Sequence, residues 1–196
     1  LSGKMNPGQP TQWQTYLETD DIEQTIKDVN ENGGRTYMPA SPMPGGLFTF
    51  ASDPSDAPFG IIESTNVNTT NGEVGGICWY ELEVNGDIDK TVSFYEKVFD
   101  WNAEKQIDSP EFTYVTFGDQ IGGVYSGTDF PEYLNNQSQW AVTFHVEDVE
   151  AFAQKAVQLG ATTLRVSEDT PYGDFVMIRD PQGAFFVGMK PNKESK

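Results

Sequence analysis

Trp140-Ala141-Val142-Thr143-Phe144-His145-Val146-Glu147-Asp148-Val149-Glu150 is the stretch from which the fold is read. Its first seven residues alternate, with Val142, Phe144 and Val146 on one face, the period of two of a strand with one buried side. Asp148 then stands where an N-cap belongs, because its carboxylate can accept from the backbone N–H groups that a first helical turn leaves unpaired. Val149, Phe152, Ala153, Ala156 and Val157 follow at helical spacing, and Gly160 provides the stop. Residues 162–166, 175–179 and 184–189 then read as strands, with Asp180-Pro181-Gln182-Gly183 as the turn between the last two. The order is β-α-β-β-β.

The same grammar occurs earlier, at a constant offset. Sliding Trp13 onto Trp140 (140 − 13 = 127) pairs Asp21 with Asp148, Glu23 with Glu150, Gly33 with Gly160 and Thr36 with Thr163. It continues through Gly46 with Gly173, Phe48 with Phe175, Asp53 with Asp180, Pro54 with Pro181, Ala57 with Ala184 and Phe59 with Phe186. One offset that aligns turn residues and apolar positions together means a repeated supersecondary unit. In this first copy Leu17 lies in the strand, Ile22, Ile26 and Val29 form the helix stripe, and Gly33-Gly34 ends it. A third unit lies between the copies. Residues 78–84 are its strand, with Tyr80, Leu82 and Val84 on one face. Asp87 caps a helix carrying Ile88, Val92, Tyr95, Val98 and Phe99, and residues 113–117 and 120–125 alternate as a hairpin.

Three stretches resemble the vicinal oxygen chelate superfamily, the glyoxalase, bleomycin-resistance and ring-cleaving dioxygenase group. They are Phe94-Tyr95-Glu96-Lys97-Val98-Phe99-Asp100-Trp101, Leu159-Gly160-Ala161 and Asp180-Pro181-Gln182-Gly183-Ala184. The resemblance implies an α+β fold of repeated βαβββ modules in which two modules pair so that their sheets wrap a ligand cup. On that pattern residues 76–190 form a complete two-module domain, and residues 191–196 are a tail. Residues 65–75 are a linker, residues 11–64 an orphan module, and residues 1–10 the remnant of a missing one. Leu1-Ser2-Gly3 before Trp13 resembles Tyr125-Ser126-Gly127 before Trp140, as the last three modules of a four-module, two-cup protein would. An orphan module exposes an apolar sheet face and open strand edges, so a homodimer through residues 11–63 is expected, the alternative being a monomer with the extra module packed on the complete cup.

Metal-using members of the resembled family place His, Gln or Glu ligands on the first and last strands of each module. Here those positions fall on Trp79, Gly123, Ala141 and Val187, and in the orphan module on Gln14 and Gly60; of these Gln14 alone carries a donor. A divalent ion needs a converging set of donors, so no cofactor is expected, and a metal is compatible only with a different register. Strand alternation assigns Trp79, Glu81 and Glu83 to the cup face of the middle module, and Ala141, Thr143 and His145 to that of the last. Tyr114 and Phe185 are further aromatic candidates for stacking on a flat ligand. Glu81 suits a cationic or hydroxylated ligand. Glu81 and His145 are the candidates for metal-free acid–base chemistry, since a histidine titrates near 6.5.

The 196 residues include 30 Asp+Glu against 12 Lys+Arg, a net charge of −18, which repels phosphate backbones and anionic lipid surfaces. Nucleic acid and membranes are therefore not expected partners. The single Cys78 excludes an intrachain disulfide framework, and no apolar run approaches the ~18–20 residues of a membrane span. A cytoplasmic compartment is expected. The functional expectation is a metal-independent protein that binds a small molecule in the cup of residues 76–190. One alternative is a lyase, isomerase or dioxygenase of the same superfamily; another is a non-catalytic assembly module.

Overall fold

The computed structural model describes residues 11–64, 72–118, 122–127 and 137–192. The expected remnant, residues 65–71 of the linker and residues 193–196 of the expected tail lie outside these. The chain divides into two compact units, one of residues 1–13, 70–79 and 141–196, the other of residues 14–69 and 80–140. These boundaries do not follow the module pairing read from the sequence, because the first module shares its unit with most of the middle one.

The larger unit opens with β1 (Tyr16–Glu18), α1 (Ile22–Glu31), β2 (Arg35–Thr36), β3 (Ser41–Met43), β4 (Gly46–Ser52) and β5 (Pro58–Ser64). These strands form a sheet in the order β1-β5-β4-β2, with β3 added along β4. It continues with the last four residues of β6 (Ile77–Glu83), then α2 (Ile88–Phe99), β7 (Ala103–Asp108), β8 (Phe112–Phe117) and β9 (Gly122–Gly127), in the order β6-β9-β8-β7. Both helices start where a carboxylate can cap them. Asp21 Oδ1 accepts from Gln24 N at 2.9 Å, and Asp87 Oδ1 accepts from Lys90 N at 3.0 Å. Gly33 ends α1 with φ +91, a conformation that disfavours any residue with a Cβ.

One apolar core joins the two modules of this unit. Leu17, Ile22, Val29, Phe59 and Ile61 of the first pack with Leu82, Phe94, Tyr95 and Phe117 of the second. The orphan module therefore already has its helix side covered within the chain. A buried polar chain ties the same modules together. Asp53 Oδ1 accepts from Ser55 N, Ser55 Oγ and Ala57 N, while its Oδ2 accepts from the Tyr95 hydroxyl at 3.0 Å. That hydroxyl in turn accepts from Trp140 Nε1 at 2.9 Å.

In the smaller unit β10 (Gln139–His145, from Ala141 on), α3 (Val149–Gln158), β11 (Thr162–Thr170), β12 (Gly173–Arg179) and β13 (Phe185–Pro191) form a sheet in the order β11-β12-β13-β10. Val146, Val149, Val176 and Ile178 make its core, with Phe152 and Phe186 packed against them. Asp148 caps α3 by accepting from Ala151 N at 2.9 Å, and Gly160 takes φ +91, the same value as its repeat counterpart Gly33. Two strands depart from the sequence reading. β11 runs on to Thr170 through two register irregularities rather than stopping at 166. β7 was not anticipated because, apart from Ala103, its residues are all exposed and carry no alternating apolar signal. No helix among the described residues is long and apolar enough to cross a membrane.

Candidate functional site

The β6-β9-β8-β7 strands of the larger unit have two unlike faces. Tyr80, Leu82, Val84, Val115, Phe117 and Val124 turn toward the helices and the core. Alternation sends the intervening residues to the opposite face, and in-register partners share it. Glu81 pairs with Gly123 and Glu83 with Tyr125 across β6 and β9, while Tyr114 pairs with Tyr125 and Thr116 with Gly123 across β8 and β9. Two carboxylates, two phenols and a threonine thus line one side of three adjacent strands. The Phe112 ring extends this side, 5.7 Å from that of Tyr125.

Glu83 is the unusual member. Only 1% of it is exposed, yet both carboxyl oxygens are bonded. The Tyr125 hydroxyl donates to Oε1 at 2.9 Å, and Gln139 Nε2 donates to Oε2 at 3.2 Å. Burial disfavours the anion more than these two donors favour it, so the carboxyl is pushed up to about 7. Tyr125 and Gln139 were not singled out from the sequence. Tyr125 stands two residues from Gly123 on the same strand face, a signal alternation offers, but nothing in the sequence joins Gln139 to Glu83, 56 positions away.

Glu81 and Tyr114 converge over Gly123. A Cβ built on that glycine would fall on the Tyr114 hydroxyl and lie 2.7 Å from Glu81 Oε1. The space above Gly123 is thus taken by a phenol and one carboxylate. In the smaller unit Ala141 is fully buried and Val187 is 8% exposed, and Val187 lies in register with Thr143. These positions supply no nitrogen or oxygen donor. No group of three or more His, Cys, Asp or Glu that could hold a metal ion occurs among the described residues. The donor set does not fit a divalent ion.

The remaining candidates of the middle and last modules lie in the smaller unit. Thr143 is buried, and Phe185 is 7% exposed at the start of β13. Trp79 is half-buried. His145 Nδ1 lies 2.7 Å from the Gly72 carbonyl oxygen. In the larger unit Gln14 is engaged locally, its Nε2 donating to Thr15 O at 3.2 Å. Cys78 Sγ donates to Thr143 O at 3.5 Å, and burial pushes its thiol up, away from the thiolate a nucleophile needs. The structure brings together Glu81, Tyr114 and Gly123, and separately Glu83 with Tyr125 and Gln139.

Comparison with known proteins agrees with this geometry at the level of the family. Residues 84–187 match the Glyoxalase/Bleomycin resistance protein/Dioxygenase superfamily. "Putative glyoxylase CFP32" of Mycobacterium bovis is 31% identical over 195 residues, covering 94% of this chain and 71% of that protein. "Anthracycline biosynthesis protein DnrV" of Streptomyces peucetius is 30% identical over 198 residues, covering 94% and 67%. Among solved structures, 2,2',3-trihydroxybiphenyl 1,2-dioxygenase from Sphingomonas wittichii strain RW1 has the same fold, with a TM-score of 0.63 at 12% identity over 97% of this chain and 76% of that one. The α+β modules, the matched residues and the identity to these relatives agree, and the chain belongs to the glyoxalase/bleomycin resistance protein/dioxygenase superfamily.

Proposed function

We propose that this chain is a metal-independent small-molecule-binding member of the superfamily, which sequesters or carries its ligand on the face of Glu81, Tyr114 and Tyr125 in the larger unit. The observation that carries the reading is the convergence of Tyr114 and Glu81 over Gly123: recognition groups stand where a metal-using relative would hold a ligand side chain. Tyr125 and Phe112 offer ring faces to a flat ligand, and Glu81 accepts hydrogen bonds from its hydroxyls. A planar, hydroxylated aromatic compound matches that chemistry. Relatives named for anthracycline biosynthesis support the same class.

A second reading is favoured by Glu83. A carboxyl near 7 is suited to passing a proton in either direction at neutral pH, so a metal-free isomerase or lyase using Glu83 through Tyr125 is the alternative. One experiment addresses both. Tag-free protein from metal-supplemented growth is assayed for metal by elemental mass spectrometry, then titrated with hydroxylated polycyclic aromatics under native mass spectrometry. A one-to-one complex without metal, weakened at least tenfold by Glu81→Gln, is the expected result. Stoichiometric nickel, zinc, iron or manganese refutes the reading, and conversion of a bound compound to product transfers the case to the second.

A further inference from the structure

The two helices of the larger unit leave a cleft of about 400 Å³ between the end of α1 and the flank of α2. Two glycines shape it. Gly34 lets the chain leaving α1 close on α2, since a Cβ there would fall 2.8 Å from the Phe94 ring and 2.6 Å from Ser52 O. Gly33, which ends α1, carries no side chain to fill the space, and Lys90 Cε lies 3.7 Å from the place its Cβ would take. Phe94, 1% exposed, forms the floor. Because α2 covers the side of the strands opposite Glu81 and Tyr114, the cleft is separate from the proposed ligand face.

One wall of this cleft is cationic in a chain that is strongly acidic. Lys90, Ser93 and Lys97 follow one another on α2 at spacings of three and four, so they share one stripe of the helix. The other described cations of the larger unit are Lys27, Arg35 and Lys105. Arg35 lies 3.9 Å from Asp56, and Lys105 lies 3.3 Å from both Asp89 and Asp108. Neither Lys90 nor Lys97 is ion-paired with a described residue, although the chain carries 30 Asp+Glu against 12 Lys+Arg. Lys90 also stands in the first turn of α2, where the helix dipole disfavours a cation. Glu31 and Asn32 form the facing lip and present acceptors to it.

We propose that this cleft binds a small hydroxylated organic dianion, one anionic end held by Lys90 and the other by Lys97. Seven positions along α2 separate the two lysines by ~10 Å, a span that one inorganic anion does not bridge. Ser93 lies between them and sets a hydroxyl against the middle of the ligand, whose own hydroxyls donate to Glu31 and Asn32. The volume falls within the ~300–1,000 Å³ of small-molecule sites. The net charge of −18 slows the approach of such a ligand. It does not decide the affinity, because at ~0.15 M salt charges are screened over ~8 Å and the two ammonium contacts outweigh the more distant carboxylates.

Calorimetric titration of the full chain at ~0.1 M salt with fructose bisphosphate, galactarate and inorganic phosphate tests this. At least one of the two dianions is expected to bind one-to-one and about tenfold tighter than inorganic phosphate, because it makes a second charge-assisted contact. Binding of the bisphosphate alone assigns phosphate ends to the ligand, and binding of galactarate alone assigns carboxylate ends. Lys90→Gln and Lys97→Gln, with unchanged far-UV spectra, are each expected to weaken the dianion by about tenfold, the loss of one such contact. Lys105→Gln removes the same charge from a cation paired outside the cleft and is expected to change nothing, as is Glu81→Gln on the opposite face. No saturable binding of either dianion, inorganic phosphate bound as tightly, or an equal loss in the Lys105 variant overturns the proposal.

Discussion

Glu83→Gln separates the electrostatic cost of a buried carboxylate from its hydrogen bonds. In the folded chain the carboxyl is raised from its ordinary 4.5 to about 7, so the folded state holds the proton more tightly than the unfolded one. By linkage, its contribution to stability is complete below about pH 4.5 and is lost as pH rises through about 7. A rise of roughly 2.5 at 1.36 kcal/mol per pKa unit makes that loss on the order of 3 kcal/mol, with no reduction for solvent because the side chain is 1% exposed. Glutamine has no charge to desolvate and keeps both partners. Its carboxamide oxygen accepts from Gln139 Nε2 or the Tyr125 hydroxyl, and its NH₂ donates to the oxygen of the other. The variant should therefore match the natural chain near pH 5 and exceed it by about 3 kcal/mol near pH 8.5. Urea unfolding followed by tryptophan fluorescence at several pH values measures both proteins, and the difference cancels every other titrating group. If the gap does not open between those pH values, Glu83 is not held neutral by burial and the reasoning is wrong.

Gly123→Ala puts a methyl group onto the Tyr114 hydroxyl and 2.7 Å from Glu81 Oε1. The Tyr114 ring carbon Cε2 also lies 2.7 Å away and the residue is 8% exposed, so stability should fall by ~1–3 kcal/mol while affinity for a hydroxylated aromatic ligand falls at least tenfold by calorimetric titration. Tyr95→Phe removes the donor to Asp53 and leaves the buried Trp140 N–H without its acceptor. A loss of about 3 kcal/mol is expected in urea unfolding. Gly188→Ala would set a Cβ 2.6 Å from the Phe152 ring and should lower the melting temperature through ~1–3 kcal/mol of overpacking.

Much of the fold was legible because it rests on local signals that recur. The Asp21, Asp87 and Asp148 caps and the glycines at 33 and 160 each sit within one turn of the residues they organise, and short-range chemistry is written in order along the chain. β7 was not legible: its exposed polar residues are held by backbone pairing with β8, which leaves no pattern in side chains. The candidate site divides the same way. Glu81 and Glu83 follow from alternation on one strand, whereas Tyr125 and Gln139 reach Glu83 through pairings of strands distant in sequence.

Asp53 and Asp180 show why a repeat predicts conformation more securely than use. The offset of 127 makes them equivalent, and each closes the same turn: Asp53 Oδ1 accepts from Ser55 N and Ala57 N, and Asp180 Oδ1 accepts from Gln182 N and Ala184 N. Backbone geometry is thus conserved between copies by identical local bonds. The second oxygen of Asp53 is spent differently, on Tyr95 of the neighbouring module, and burial there pushes the carboxyl up despite its four donors. That contact depends on which module lies alongside, a property of the packing rather than of the repeated sequence. The same logic applies to the site. Gly123, Ala141 and Val187 occupy positions set by the repeated strands, but what each can bind is decided by the side chains its neighbours bring, and over Gly123 those are a phenol and a carboxylate.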